Sequence, residues 1–124
     1  TSRSGVGNDL FDEANSIKRI ICPSHSAFSR VHEIEEEIEK YAADHLILCM
    51  LGPTAKVLAY HLSQKGHQIL DIGHIDSEYE WMKMGAKTKV KFSHKHTAEY
   101  NFDQDIEFIE DEVYNSQIVA RIVK

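Results

Sequence analysis

Cysteine and proline are scarce, two of each in 124 residues, and no apolar run approaches the length needed to cross a bilayer. A membrane-spanning helix takes roughly 20 consecutive apolar residues, so no transmembrane segment is expected. Cys22 and Cys49 both sit inside apolar runs. There cysteine behaves as a small buried hydrophobe, which argues against a disulfide framework and for a reducing, cytoplasmic compartment. Positive charge is also short: 20 acids face 14 bases, a net charge of -6 with eight histidines neutral. That balance supplies no general field for gathering DNA or RNA, so nucleic acid is not an expected partner. No signal-peptide pattern opens the chain. It starts at Thr1 rather than Met, as an excised piece of something longer would. No serine or cysteine stands in a recognisable nucleophile motif, which leaves acyl transfer without support.

What is present is the composition of a globular domain, 42% hydrophobic and 27% charged, long enough for one modest core. After a turn-rich opening, Ser4 to Asp9, the run Ile17, Ile20, Ile21, Cys22 reads as a short buried strand stopped by Pro23. Val31, Ile34, Ile38 and Tyr41 recur at helical spacing, and the acids Glu35, Glu36 and Glu37 are expected on its solvated face. His45 to Leu51 reads as a strand buried on both faces. Gly52-Pro53-Thr54 breaks it, and Pro53 suits a first helical position. Ala55, Val57, Leu58, Ala59 and Leu62 carry the helix that Gly66 stops. His67 to Ile72 is a further strand, and Ser77 to Met84 a short helix closed by Gly85. This alternation predicts an α/β fold with a mostly parallel sheet of at least three strands and crossover helices. Beyond Gly85 the pattern weakens: Lys87 to Phe92 alternate as on a solvent-facing strand or extended loop, and Gln117 to Val123 fits either strand or helix.

In open α/β sheets ligands bind beyond the carboxyl ends of the strands. Two such ends carry chemistry. At Gly52-Pro53-Thr54 the glycine admits a close approach to the backbone, the helix that follows presents free N–H groups, and Thr54 adds a hydroxyl, together a seat for a phosphate. A Gly-Pro turn opening a helix is also common for purely structural reasons. At Asp71 to Trp81, four carboxylates, one imidazole and two aromatics fall within eleven residues. Asp76 and Glu78, one residue apart, would point to one side of an extended backbone and share a hard cation such as Mn or Mg. Against this, Ser77 and Glu80 have capping-box spacing, and acids are favoured near a helix N-terminus in any case. Both readings stand at this level. His94 and His96 flank Lys95 on one side of a presumed strand, but zinc lacks a third and fourth ligand at recognisable spacing.

Gly5-Val6-Gly7-Asn8-Asp9-Leu10-Phe11, Leu51-Gly52-Pro53-Thr54-Ala55-Lys56-Val57-Leu58-Ala59-Tyr60 and Asp71-Ile72-Gly73-His74-Ile75-Asp76-Ser77-Glu78-Tyr79-Glu80-Trp81 together resemble the GT-D glycosyltransferases of bacteria. The likeness runs from about Gly5 to Asn101, and the third motif is the most specific. It implies a Rossmann-like three-layer sandwich, a UDP-sugar donor, and a glycan or glycoprotein acceptor in adhesin or surface-polysaccharide glycosylation. It implies an Asp-x-Glu metal motif as well, matched here by Asp76-Ser77-Glu78, with Mn or Mg as the ion. On the same resemblance Gly52, Pro53 and Thr54 lie near the nucleotide sugar. His74 orients the donor or accepts a proton from the acceptor hydroxyl. Lys95, read from the residues alone, is a candidate charge beside the phosphates, though lysines at such positions are mostly just solvated. The family's N-terminal half is missing, so residues 1–124 correspond to the C-terminal half of the domain, a fragment or a half that pairs with another copy. The competing class is a non-catalytic α/β module that binds a nucleotide or a partner. A phospho-acceptor domain built on Asp71 would need further acids after the strand at Ile17 to Cys22, and none follow.

Overall fold

The computed structural model describes residues 4–97, 106–107 and 109–123. Its centre is a βαβ unit: β2 (Ile47–Cys49), helix α2 (Pro53–Gln64) and β3 (Ile69–Asp71). A crossover helix between two strands makes them parallel, and Ile47, Leu48 and Cys49 pair in parallel with Ile69, Leu70 and Asp71. Pro53 is the first residue of α2, as its missing N–H suggests. Ala55, Leu58 and Leu62 recur at helical spacing and are wholly buried. They pack against Val31, Ile34 and Ile38 of helix α1 (Val31–Glu39) and against Cys22 and Cys49. Because Leu58 sits at the middle of this cluster, Leu58→Ala is expected to cost about 2–5 kcal/mol, read by urea denaturation of the full-length protein. A loss under about 1 kcal/mol would mean the surrounding helices do not form one core.

Helix α1 ends at Glu39, two residues short of the expected Tyr41. Its acidic run is not uniformly solvated. Glu36 is exposed, but Glu35 is buried and meets α2, accepting from Lys65 Nζ at 2.9 Å and pairing with His61 Nδ1 at 3.1 Å. Lys65 also bridges to Glu39. The Lys65 hydrogen bond, helped by His61 and opposed by burial, holds the Glu35 carboxyl below the usual carboxylate range. Periodicity along α1 marks its apolar stripe but cannot report a cation arriving from another helix.

β1 (Arg19–Ile21) pairs in parallel with β4 (Ile118–Arg121), so the last segment is a strand rather than a helix. Among the described residues the strands form two separate two-stranded ladders, β1-β4 and β2-β3, not the single sheet expected. Between the ladders lies a cavity of about 530 Å³, lined by Ile20, Ile21, Leu48, Cys49, Ile34 and Leu58. It explains a second departure: Leu48 faces this space and is only half-buried, so β2 is not enclosed on both faces. The thiols of Cys22 and Cys49 are buried and unbridged. Burial pushes Cys22 up and Cys49 up to about 12, which rules them out as ready thiolates.

Helix α3 (Ile75–Met84) follows β3 after Gly73-His74 and ends at Gly85, which adopts the left-handed cap conformation at φ 65°. The expected capping box does not form. The helix begins two residues before Ser77, the N-cap is His74, and no side chain caps it. Ser77 is therefore buried inside the first turn. Two non-helical segments close on α3. In the opening turn Asp9 accepts from Tyr79 Oη at 2.6 Å and from Lys83 Nζ at 2.8 Å, which lowers its pKa to about 2, Lys83 contributing most. The stretch 87–97 is irregular, with no strand at Lys87 to Phe92 or around His94. Phe92 stacks on Trp81, and the indole Nε1 donates to the Val90 carbonyl at 2.9 Å. Of the acidic run 103–112, residues 103–105 and 108 lie outside the described residues; its end opens helix α4 (Glu112–Ser116), capped by the Asp111 carboxylate accepting from the Tyr114 N–H.

Candidate functional site

The loops after β1, β2 and β3 surround a cleft of about 410 Å³. Gly52, Pro53 and Thr54 line it from the start of α2, and His74, Asp76 and Ser77 from the start of α3. Residues 20 to 25 positions apart are thus brought together because both segments leave neighbouring parallel strands at their carboxyl ends, where the loops of such a sheet converge. Gly52 has φ 52° and ψ −141°, a conformation that L side chains rarely adopt. No atom lies near a Cβ built there, so the glycine serves the turn and leaves the backbone open to a ligand. Thr54 is buried at the same wall.

Asp76 is 4% exposed and held from behind. Its Oδ1 accepts from Asn8 Nδ2 at 2.7 Å and from Lys95 Nζ at 3.2 Å. Glu80, one turn further along α3, accepts from the same two donors through Oε1, at 3.0 Å each. Burial pushes the Glu80 carboxyl up, but the hydrogen bonds from Asn8 and Lys95 outweigh it, leaving the pKa lowered. Asn8 in turn is fixed by accepting from the Leu10 N–H. The opening loop, helix α3 and the segment around Lys95 therefore meet at two carboxylates. All the contacts to Asp76 among the described residues fall on Oδ1, so Oδ2 carries none.

The expected site residues separate into three groups. Gly52, Pro53, Thr54, His74 and Asp76 share the cleft. Lys95 does not line it: with 0% exposure it pairs with Asp76 and Glu80. Glu78 is exposed and does not line the cleft. Asp76 and Glu78 lie on a helix, not on extended backbone, and at about 100° per residue positions two apart diverge by about 200°. The geometric ground for joint chelation is therefore absent here.

A Mn- or Mg-type ion usually keeps several waters and takes one or two carboxylates plus substrate phosphates. Of the paired carboxylates Asp76 and Glu80, Asp76 is the one that lines the cleft where such an ion would sit. No group of three His, Cys, Asp or Glu side chains converges among the described residues, so a fuller protein cage is not available there. Sequence reasoning did not anticipate Asn8, Glu80, His96 or Phe28. His96 and Phe28 also line the cleft. The opening motif containing Asn8 was the one signal that pointed toward this arrangement.

The family model of the Glycosyltransferase GT-D fold matches residues 1–100, and the chain belongs to that family. It is a partial GT-D domain, α/β with small parallel sheets. It is 87% identical over 123 residues to glycosyltransferase GlyD of Streptococcus pneumoniae serotype 4, a match covering 99% of this chain and 15% of that protein. Against the probable glycosyl transferase Gly of Streptococcus gordonii the identity is 64% over 124 residues, 100% of this chain and 18% of that one. Among solved structures, a new glycosyltransferase (domain of unknown function 1792) from Streptococcus sanguinis superposes with a TM-score of 0.93 at 67% identity, over 98% of this chain and 46% of that chain. Another structure, described as a highly conserved domain with a distinct glycosyltransferase fold, gives 0.93 at 61% identity, over 98% and 44%. The chain thus spans less than half of these solved relatives and under a fifth of the curated ones.

Proposed function

We propose that this segment forms part of the donor site of a glycosyltransferase that moves a sugar from a UDP-sugar to a hydroxyl of a growing glycan, on an adhesin glycoprotein or a surface polysaccharide. The observation that carries the proposal is the meeting of the Gly52 turn and Asp76 in one cleft. In this reading the free N–H groups and positive dipole end of α2 face the diphosphate, and Thr54 adds a hydroxyl. Asp76 Oδ2 would hold Mn or Mg against the diphosphate. The ion, when bound, neutralises charge that develops on the departing nucleoside diphosphate. Asn8 and Lys95 keep the Asp76 carboxylate in place. His74, exposed at the cleft, is the candidate for orienting the donor or taking the proton from the acceptor hydroxyl. Cytoplasm is the proposed compartment, in keeping with two buried free thiols.

Donor binding tests the proposal. At UDP and Mn concentrations 100 times the dissociation constant, linkage adds about 2.7 kcal/mol of stability, a rise of several degrees in the melting temperature of the full-length protein. No shift at millimolar UDP and Mn would remove the nucleotide from this cleft. Binding without any transfer or donor hydrolysis would favour a non-catalytic nucleotide-binding module.

A further inference from the structure

We propose that Phe28 is the platform on which the donor's nucleobase stacks. The inference rests on the nucleotide-sugar reading above and adds to it a subsite for the base. Phe28 is 59% exposed, although its neighbour Ala27 in the same 3-10 turn is buried. A large apolar ring left in solvent is costly unless something covers it. Its location says what kind of molecule does so, because Phe28 lines the same cleft as Gly52, Thr54 and Asp76.

The cleft wall is chemically divided. Pro23, Ala27 and Phe28 from the loop after β1, with Met50 and Leu51 at the end of β2, make the mainly apolar side, with Ser24 and Ser26 interleaved on that loop. Thr54, His74, Asp76 and His96 are polar. A nucleoside diphosphate has the same division, a flat ring with a π face at one end and a multiply charged tail at the other. With the tail at the Gly52 turn, the apolar wall is what remains for the ring. Stacking between a base and an aromatic side chain tolerates a partly open site, because it needs a face rather than an enclosing pocket. The ring is carried on ordered backbone. Ser26 takes up left-handed values, φ 52° and ψ 34°, and its carbonyl accepts from both the Ser29 N–H at 2.9 Å and the Ser29 hydroxyl at 2.8 Å. The turn lies a few residues after Pro23, which ends the run from β1, so the loop that carries Phe28 leaves the carboxyl end of that strand.

The test compares UDP with inorganic pyrophosphate, each titrated by calorimetry with Mn into the full-length protein and into Phe28→Ala and Phe28→Trp variants. Because the side chain is exposed, both variants should keep the parent's far-ultraviolet circular dichroism and melting temperature. The expected result is a loss of UDP affinity of roughly tenfold or more in Phe28→Ala, with pyrophosphate affinity unchanged and UDP affinity kept in Phe28→Trp. Equal UDP affinity in Phe28→Ala and the parent overturns the platform and leaves the anion seat standing. So does a parent that binds pyrophosphate as tightly as UDP. A parent that binds neither compound sinks the nucleotide-sugar reading itself, and the platform with it.

Discussion

Lys95→Met is expected to destabilise the protein by about 3–5 kcal/mol, the usual cost of removing one partner from a buried ion pair. Methionine fills much of the same volume, so the loss reports charge rather than a cavity. Lys95 has no exposure and donates to Asp76 and Glu80, at 3.2 and 3.0 Å. Without it, among the described residues, the Asn8 amide is the hydrogen-bond donor that remains to two carboxylates one helical turn apart. The contrast is Lys83→Met. Lys83 is half-exposed and pairs with an exposed Asp9, so solvent screens the pair and its removal should cost far less. Urea denaturation of both variants decides the matter, and a Lys95→Met loss as small as that of Lys83→Met would refute the buried network. The pH dependence has a definite sign. The folded-state pKa of Glu80 is depressed, so its contribution is full above the ordinary carboxylate pKa and is lost as pH falls through the depressed value. The penalty of Lys95→Met should therefore shrink in acid, as Glu80 takes up a proton.

The second large effect is on chemistry. Asp76→Asn should lower sugar transfer by roughly 100-fold or more, the scale of several kcal/mol of lost transition-state charge stabilisation. Asparagine keeps the size of the side chain and an Oδ1 that accepts from Asn8 and Lys95, so the helix and the cleft should survive. Glu78→Gln is the control. Glu78 shares the Asp-x-Glu spacing but is exposed and lies outside the cleft, so its loss should be smaller. Initial rates with saturating Mn compare the two. If Glu78→Gln is as damaging as Asp76→Asn, both acids act at the reaction centre and the first turn of α3 must rearrange when donor binds. If Asp76→Asn stays within a few-fold of the parent, the carboxylate serves the fold and not the reaction.

What the sequence disclosed follows from how local each signal is. Pro53 at the start of α2, Gly66 after its end and Gly85 at the end of α3 are decided by the backbone of a few residues, and all three stand where expected. The β2-α2-β3 unit was readable for the same reason, and it alone brings Gly52 and Asp76 to one cleft. The pairing of Lys95 with Asp76 and Glu80 was not legible because they lie 19 and 15 positions away across an irregular loop that no periodicity describes. Glu35 was taken for solvated because its cations arrive from α2. The separate ladders were hidden because β1 finds its neighbour at Ile118–Arg121, almost the full chain away. The spacing of Asp76 and Glu78 falls on a different backbone from the one it was read on. It puts two acids on one side of a strand, and the segment is a helix.

The space between the two ladders bears on how this segment behaves when handled alone. With one neighbour apiece among the described residues, the four strands leave rows of N–H and C=O groups open beside an apolar hollow. Such rows are templates for pairing with any other chain. Produced without flanking sequence, the segment is disposed to self-associate, and expression boundaries chosen to include more of the protein are the remedy the architecture itself prescribes.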